Sequence, residues 1–368
     1  MNTDVHEQSP SYVRAIAPYQ PGKPIGELAR EMGLDAKDIV KLASNENPRG
    51  IGPRTRAAIE SALGDLARYP DANGFELKQA LARRYGIGMD SIVLGNGSND
   101  VLELVAAAFL NVSRSAVFAQ HAFAVYPLAT QARGAGSIEV PAVDYGHDLE
   151  AMARAVASDT AVVWLANPNN PTGTFCPPDA LEAFFKRVPA HVIVVLDEAY
   201  NEYLPSERRY DSVRWLKRHP NLVITRTFSK AYGLAGLRVG YALAHAKVAD
   251  VMNRVRQPFN VNSVALAAAS AALEDMEFVA RSFAENLAGL RYLEQGARAL
   301  GLDYIPSFGN FITIRVGKAG EIYKRLLKRG VIVRPVSGYG LPEHLRVTVG
   351  TPEENQRFLT ALTASVKD

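Results

Sequence analysis

Apolar residues in this chain come in short runs separated by amphipathic stretches. The segment "SIVLGNGSNDVLELVAAAFL" opens on an apolar run from Ile92 to Leu94, crosses a glycine-rich turn, and then repeats leucine and valine every three or four positions. That order of periods predicts a strand, a turn and a helix. Comparable apolar runs follow in "SAVFA", "GSIEVPAV", "TAVVWLANP", "HVIVVLDEAY", "NLVITRTFSK" and "RVGYALA". Strands apolar on both faces and spaced by helical patterns predict an α/β fold, a mostly parallel sheet covered by helices.

The alternation spans residues 50–258, which we read as a large domain. A strongly helical stretch, "NSVALAAASAALEDMEFVARSFAENLAGLRYLEQGARALG", leads on to "NFITIRV", "EIYKRLLKRG", "VIVRP", "LRVTVG" and "TPEENQRFLTALTASV". This predicts a linking helix and a smaller α/β domain over 259–368. Residues 1–49 form a Pro/Gly-rich arm that adds part of the small domain.

The length of 368 residues accommodates two such units, and 48% apolar with 21% charged residues is ordinary for a globular protein. The net charge of +3 comes without a Lys/Arg block interleaved with aromatics, which argues against nucleic-acid binding. Cys176 is the single cysteine, so neither an intrachain disulfide nor a cysteine metal or redox pair is available, and no metal is expected. The N-terminal stretch lacks a secretory apolar core, and no window approaches a membrane span. The expectation is a cytoplasmic protein acting on small molecules.

In open parallel sheets, ligands gather beyond the carboxyl ends of the strands. Several polar stretches here follow predicted strands. "VLGNGSND" places Gly95, Gly97, Ser98 and Asn99 where a helix N-terminus offers N–H groups to an anion, although such turns also occur as plain loops. "ANPNNPTG" (166–173) is either a rigid loop or a ligand-orienting one carrying Asn170. "VVLDEAYNEY" ends a very apolar strand in Asp197, which needs a donor or cation if buried and is otherwise a helix cap. "TRTFSKAYGLAGLRVGY" then carries Ser229, Lys230 and Arg238. A lysine confined beside positive charge loses proton affinity and becomes a nucleophile toward aldehydes. Pyridoxal phosphate presents an aldehyde, a pyridine nitrogen, a phenolic oxygen and a phosphate, and the candidate residue types answer each of these.

Taken in order, "SNENP", "YPD", "GNGS", "NPNNPTG", "DEAY" and "TFSKAYGLAGLRVGY" resemble the fold-type I pyridoxal-phosphate aminotransferases over nearly the whole chain. With "LASNENPRG", "RP", "YGL" and "LRVTVGTPEEN" the pattern is similar to the histidinol-phosphate aminotransferase family. The resemblance implies that Lys230 bonds to the cofactor's aldehyde carbon and shuttles a proton, and that Asp197 keeps the pyridine nitrogen protonated. It implies that Tyr200 and Asn170 donate to the phenolic oxygen, and that Ser229, Arg238, Ser98 and Asn99 cradle the phosphate. Phe123 matches the stacking aromatic, which as a residue type is equally a core ring. Tyr69 matches a tyrosine that reaches the neighbouring subunit's cofactor, which implies a homodimer. For the substrate, Arg346 and Arg334 match the basic pair, and Tyr19 and Asn45 close the site from the arm.

Two positions depart from the family pattern. Asp100 follows Asn99 where glutamate is usual, a change the backbone cradle should survive. His121 stands where proline is common and reads as a loop residue. The implied reaction is transamination between histidinol phosphate and a 2-oxo acid, 2-oxoglutarate, giving imidazole acetol phosphate. The same motifs also suit an aromatic or broad-range aminotransferase, since two arginines can bind phosphate or carboxylate. A decarboxylase of a phosphorylated amino acid shares them as well. A cofactor-sensing regulator would need a DNA-binding module, for which the chain leaves no room.

Overall fold

Each of the expected apolar runs becomes a strand. In chain order the strands are β1 (Val40–Lys41), which the apolar runs did not predict, β2 (Ile92–Gly95), β3 (Ser115–Ala119), β4 (Gly136–Val140), β5 (Thr160–Ala166), β6 (Ile193–Asp197), β7 (Leu222–Thr227) and β8 (Gly240–Ala244). The last third adds β9 (Tyr304–Ile305), β10 (Phe311–Arg315), β11 (Val331–Ile332), β12 (Arg334–Pro335) and β13 (His344–Thr348). The structure, a computed structural model, describes residues 4–367; the first three residues of the expected arm and Asp368 lie outside the described residues.

Seven strands form one sheet in the order β2-β8-β7-β6-β5-β3-β4. Neighbours from β7 through β4 run parallel, whereas β8 is antiparallel to both β7 and β2. The period of two sends alternate residues of β5 to opposite cores. Val162 and Trp164 join one cluster with Val101, Val105 and Tyr126 from the covering helices. Val163 and Leu165 join the other with Phe184, Phe185 and Ala268. At the edge, β4 has one neighbour and is mostly exposed.

The strongly helical stretch comprises two helices, Ser263–Glu274 and Met276–Ala299. Asp275 makes the break: its carboxylate accepts the Phe278 N–H at 3.2 Å, which starts the second helix. Aspartate favours such a cap over a helix interior. The first of these helices is alanine-rich and lies in the core of the large sheet, where Ala265, Ala268, Ala269 and Ala272 are buried.

A four-stranded antiparallel sheet, β12-β13-β10-β9, and the parallel pair β1-β11 make up the remaining strands. "VIVRP" therefore supplies two strands in two sheets, because the chain crosses between them at the buried Val333. Helices Ala319–Lys328 and Pro352–Lys367 cover these strands through Ile322, Leu326, Phe358 and Leu362. Leu28, Ile39 and Ala43 pack with Leu327 and Ile332, so the N-terminal segment is built onto this C-terminal unit. Among the described residues, no helix is long and apolar enough to cross a membrane.

Candidate active site

The carboxyl ends of β5, β6 and β7 and the turn after β2 open onto a cavity of about 210 Å³. Tyr19, Asn45, Ser98, Asn99, Phe123, Asn170, Asp197, Tyr200, Ser229, Lys230, Arg238, Arg334 and Arg346 all line it. The structure thus brings together every sequence-predicted site residue except Tyr69. That ring is 81% exposed and stacks on Phe259 with centroids 4.6 Å apart, outside the chain's own cavity. A larger cavity of about 620 Å³ adjoins the site, sharing Tyr19, Gly22 and Arg334 and passing Gln120, His121 and Tyr339.

Lys230 follows the end of β7, and its amine donates to the Ser44 carbonyl at 3.1 Å. Burial first, and Arg346 second, lower its pKa to about 7. Desolvation and like charge both disfavour the ammonium form, so a large share of the amine is nucleophilic at neutral pH.

The anion cradle depends on two close approaches. A Cβ on Gly97, where φ is +84°, would meet Arg238 Nη2 at 2.1 Å, and one on Gly240 would meet the Ser98 nitrogen at 2.4 Å. Only glycine fits there. Helix Ser98–Phe109 begins at this turn, so its first N–H groups and the Arg238 guanidinium lie side by side. Arg238 Nη1 donates to Ser229 Oγ at 3.2 Å and to the Ala235 carbonyl at 3.1 Å. Asp100 accepts from the Asn96 N–H at 2.8 Å and from Asn260 Nδ2 at 2.7 Å, which holds the turn despite the shorter side chain.

Asp197 is buried at the end of β6, and burial raises its pKa. Tyr126 donates its hydroxyl to Asp197 Oδ2 at 2.8 Å, while Oδ1 has no partner. An orphaned carboxylate oxygen in such a place calls for a donor. The Tyr200 hydroxyl receives a bond from Asn45 Nδ2 at 2.9 Å, and burial pushes its pKa up to about 12, so it stays a donor. Arg346 donates to Asn170 Oδ1 and to the Ala43 carbonyl at 2.8 Å, and its Nε has no partner. Arg334 lies over the Tyr19 ring at 5.2 Å.

Tyr126 was not visible in the sequence reading. It stands three residues after Phe123 in "AFAVYP", on the first turn of helix Val125–Ala132, and it stacks on Trp164 at 5.4 Å. Its place one helical turn from the stacking position hints that it lies near the cleft, and carries no sign of the bond to Asp197. Thr348 was also missed; its hydroxyl receives the Asn45 N–H at 2.9 Å and fixes that residue's left-handed backbone. His121 bonds through Nδ1 to the Tyr339 carbonyl, a role in loop geometry. Cys176 is buried, with its thiol pKa pushed up to about 12, and takes no part in the cavity.

The lining fits pyridoxal phosphate. It offers a neutralisable amine for the aldehyde, an unpartnered Asp197 oxygen for the pyridinium, and a phenol and amide for the ring oxygen. A helix N-terminus with Arg238 serves the phosphate.

The family model for aminotransferase class I and II matches residues 37–362. Histidinol-phosphate aminotransferase 2 of Nitrosospira multiformis is 59% identical over 365 residues, covering 99% of this chain and 93% of that protein. Histidinol-phosphate aminotransferase 1 of Thiobacillus denitrificans is 61% identical over 354 residues, covering 96% and 92%. The crystal structure of histidinol-phosphate aminotransferase from Sinorhizobium meliloti in complex with pyridoxal-5'-phosphate superposes with a TM-score of 0.90 at 28% identity, covering 98% of each chain.

Proposed function

We propose L-histidinol phosphate as the amino donor, on the premise that this chain belongs to the class I and II aminotransferases and, within them, to the histidinol-phosphate aminotransferases. It is a pyridoxal-phosphate enzyme of histidine biosynthesis. In the proposed reaction L-histidinol phosphate and 2-oxoglutarate exchange an amino group for an oxo group, giving imidazole acetol phosphate and glutamate.

The observation that carries the donor assignment is the pairing of two buried arginines. Arg334 and Arg346 are direct cross-strand partners in β12 and β13, and both line the cavity. Like charges placed opposite one another are destabilising. A phosphate ester, with up to two negative charges, offsets that repulsion better than a single carboxylate.

Bound pyridoxal phosphate supplies an aldehyde that takes the donor's nitrogen and a ring that accepts the electron pair of the donor's α-carbon. Everything else falls to the chain. The Lys230 amine removes the α-proton and carries it to C4′ of the cofactor. Asp197 Oδ1 holds the proton on the ring nitrogen, and Tyr126 holds Asp197. Tyr200 and Asn170 Nδ2 donate to the ring oxygen, with Asn45 fixing the phenol. Ser98, Asn99, Ser229 and Arg238 grip the cofactor phosphate, and Phe123 covers the ring. Tyr19 and Asn45 close the substrate side beside Arg334 and Arg346.

In the same reading residues 50–258 form the cofactor-binding domain, 259–368 carry the linking helix and small domain, and 1–49 contribute the arm. Two chains pair in the cytoplasm so that Tyr69 reaches the neighbouring chain's cofactor phosphate. Its exposure, together with that of Leu63, Leu66, Phe75 and Phe259, supports this arrangement.

The test is a single-turnover half-reaction on the cofactor-loaded protein, following the visible cofactor band. Fast decay with histidinol phosphate and glutamate and slow decay with phenylalanine is expected. Fast decay with phenylalanine alone reassigns the donor to an aromatic amino acid, and carbon dioxide release from a phosphorylated amino acid makes the protein a decarboxylase.

A further inference from the structure

Tyr339 of the "YGL" run lies between β12 and β13, the strands that carry Arg334 and Arg346. It ends a short helical turn, Ser337–Tyr339, and its N–H donates to the Val336 carbonyl at 3.0 Å. From the side of the large sheet His121, in the segment after β3, bonds through Nδ1 to the Tyr339 carbonyl. Asn169 Nδ2 in turn donates to the His121 carbonyl at 3.1 Å. The main chain of Tyr339 is thereby tied to the loop that leads to Phe123 and to the loop that carries Asn170.

The half-buried Tyr339 ring stands with Tyr19 and Arg334 in the wall of the cavity of about 620 Å³ that adjoins the cofactor cavity. Burial raises the pKa of its phenol, and the Arg346 and Arg334 guanidinium groups pull it down. The same phenol bears on the charge state of Tyr200 and Arg346, both of which line the cofactor cavity. Tyr339 is therefore a neutral hydroxyl placed beside both arginines. A guanidinium has donors and no acceptor, so the phenol's proton finds no partner in either of them.

We propose that Tyr339 is a specificity-determining residue that selects a phosphate ester over a carboxylate as the group held by Arg334 and Arg346. This selection rests on the reading of both arginines as the donor's anion site. A carboxylate has two oxygens, one for each guanidinium. A phosphate ester has three terminal oxygens, and the third takes the proton of the Tyr339 hydroxyl. Arg346 cannot turn to serve it, because it is already fixed on Asn170 Oδ1 and the Ala43 carbonyl. With a carboxylate bound, the phenol is left half-buried and unpaired, which penalises the smaller anion.

The test compares the parent with Tyr339→Phe, which keeps the ring and removes only the hydroxyl. On the cofactor-loaded protein, band decay with glutamate is measured in the presence of ethyl phosphate or succinate, neither of which carries an amine. Ethyl phosphate should inhibit Tyr339→Phe about tenfold more weakly than the parent, about 1.4 kcal/mol, with inhibition by succinate changed less than about twofold. With histidinol phosphate, the half-saturating concentration should rise about tenfold while the limiting decay rate stays within about twofold of the parent. Equal weakening of ethyl phosphate and succinate would show that the ring merely props the arginines and would overturn the proposal. Unchanged inhibition by ethyl phosphate, or none in the parent, would overturn it as well. A parent that reacts poorly with histidinol phosphate, while ethyl phosphate still separates the two proteins, would overturn the donor assignment and support the role of Tyr339.

Discussion

At the scale of single residues, the site turns on how burial divides protons among three groups. The Lys230 pKa of about 7 means that the cofactor-free protein should capture pyridoxal phosphate covalently at a rate that rises about tenfold per pH unit below 7 and levels off above 8. A rate that keeps rising about tenfold per pH unit through pH 9 in stopped-flow absorbance, with no plateau, would show an amine with no such shift. Lys230→Ala should lose at least about 100-fold in turnover, the range expected when a general acid-base group is removed. Tyr126→Phe removes the hydrogen bond from the phenol to Asp197 Oδ2, and should weaken cofactor retention about tenfold while leaving the band position nearly fixed. Equilibrium dialysis of the cofactor would read this. The motif residues were legible in the sequence because each sits in a short run with its own turn or strand signal. Tyr126 was not, since its link to Asp197 joins the helix after β3 to the end of β6, and no local pattern reports that crossing.

At the scale of elements, caps and strand ends decide local stability. Asp275 serves two helices, so Asp275→Ala should cost about 1 kcal/mol and lower the melting temperature by a few degrees. His147 anchors its loop to the end of β5 by donating from Nε2 to the Ala166 carbonyl at 2.9 Å, and its Nδ1 is buried without a partner. Burial lowers its pKa to about 4, against 6.5 for the free side chain. The unfolded chain therefore binds a proton that the folded one refuses. The stability due to neutral His147 is full above pH 6.5 and declines as pH falls from 6.5 toward 4, by up to about 1.4 kcal/mol per unit. Chemical denaturation across that window should be flatter for His147→Gln than for the parent protein. The apolar runs foretold the strands well because period and composition are local properties. They did not foretell that β8 runs against its neighbours or that "VIVRP" serves two sheets, because strand direction and partner are set by packing between distant segments.

At the scale of the whole molecule, the exposed Leu63, Leu66, Tyr69 and Phe259 frame the surface proposed to meet a second chain. Mixing Lys230→Ala chains with Tyr69→Phe chains under exchange should restore up to about a quarter of the parental activity, since half the dimers are hybrids with one intact site. No recovery, with exchange verified, would show that each chain completes its own site. The large sheet also has a history in time. Strand β2, whose turn is proposed to hold the cofactor phosphate, finds its only sheet neighbour among the described residues in β8, roughly 150 residues later. A ribosome adding 5–20 residues per second needs on the order of ten seconds to cover that interval. During that time the N-terminal half waits with an open edge, a natural substrate for chaperones, and the proposed anion site comes into being only as the second half is translated.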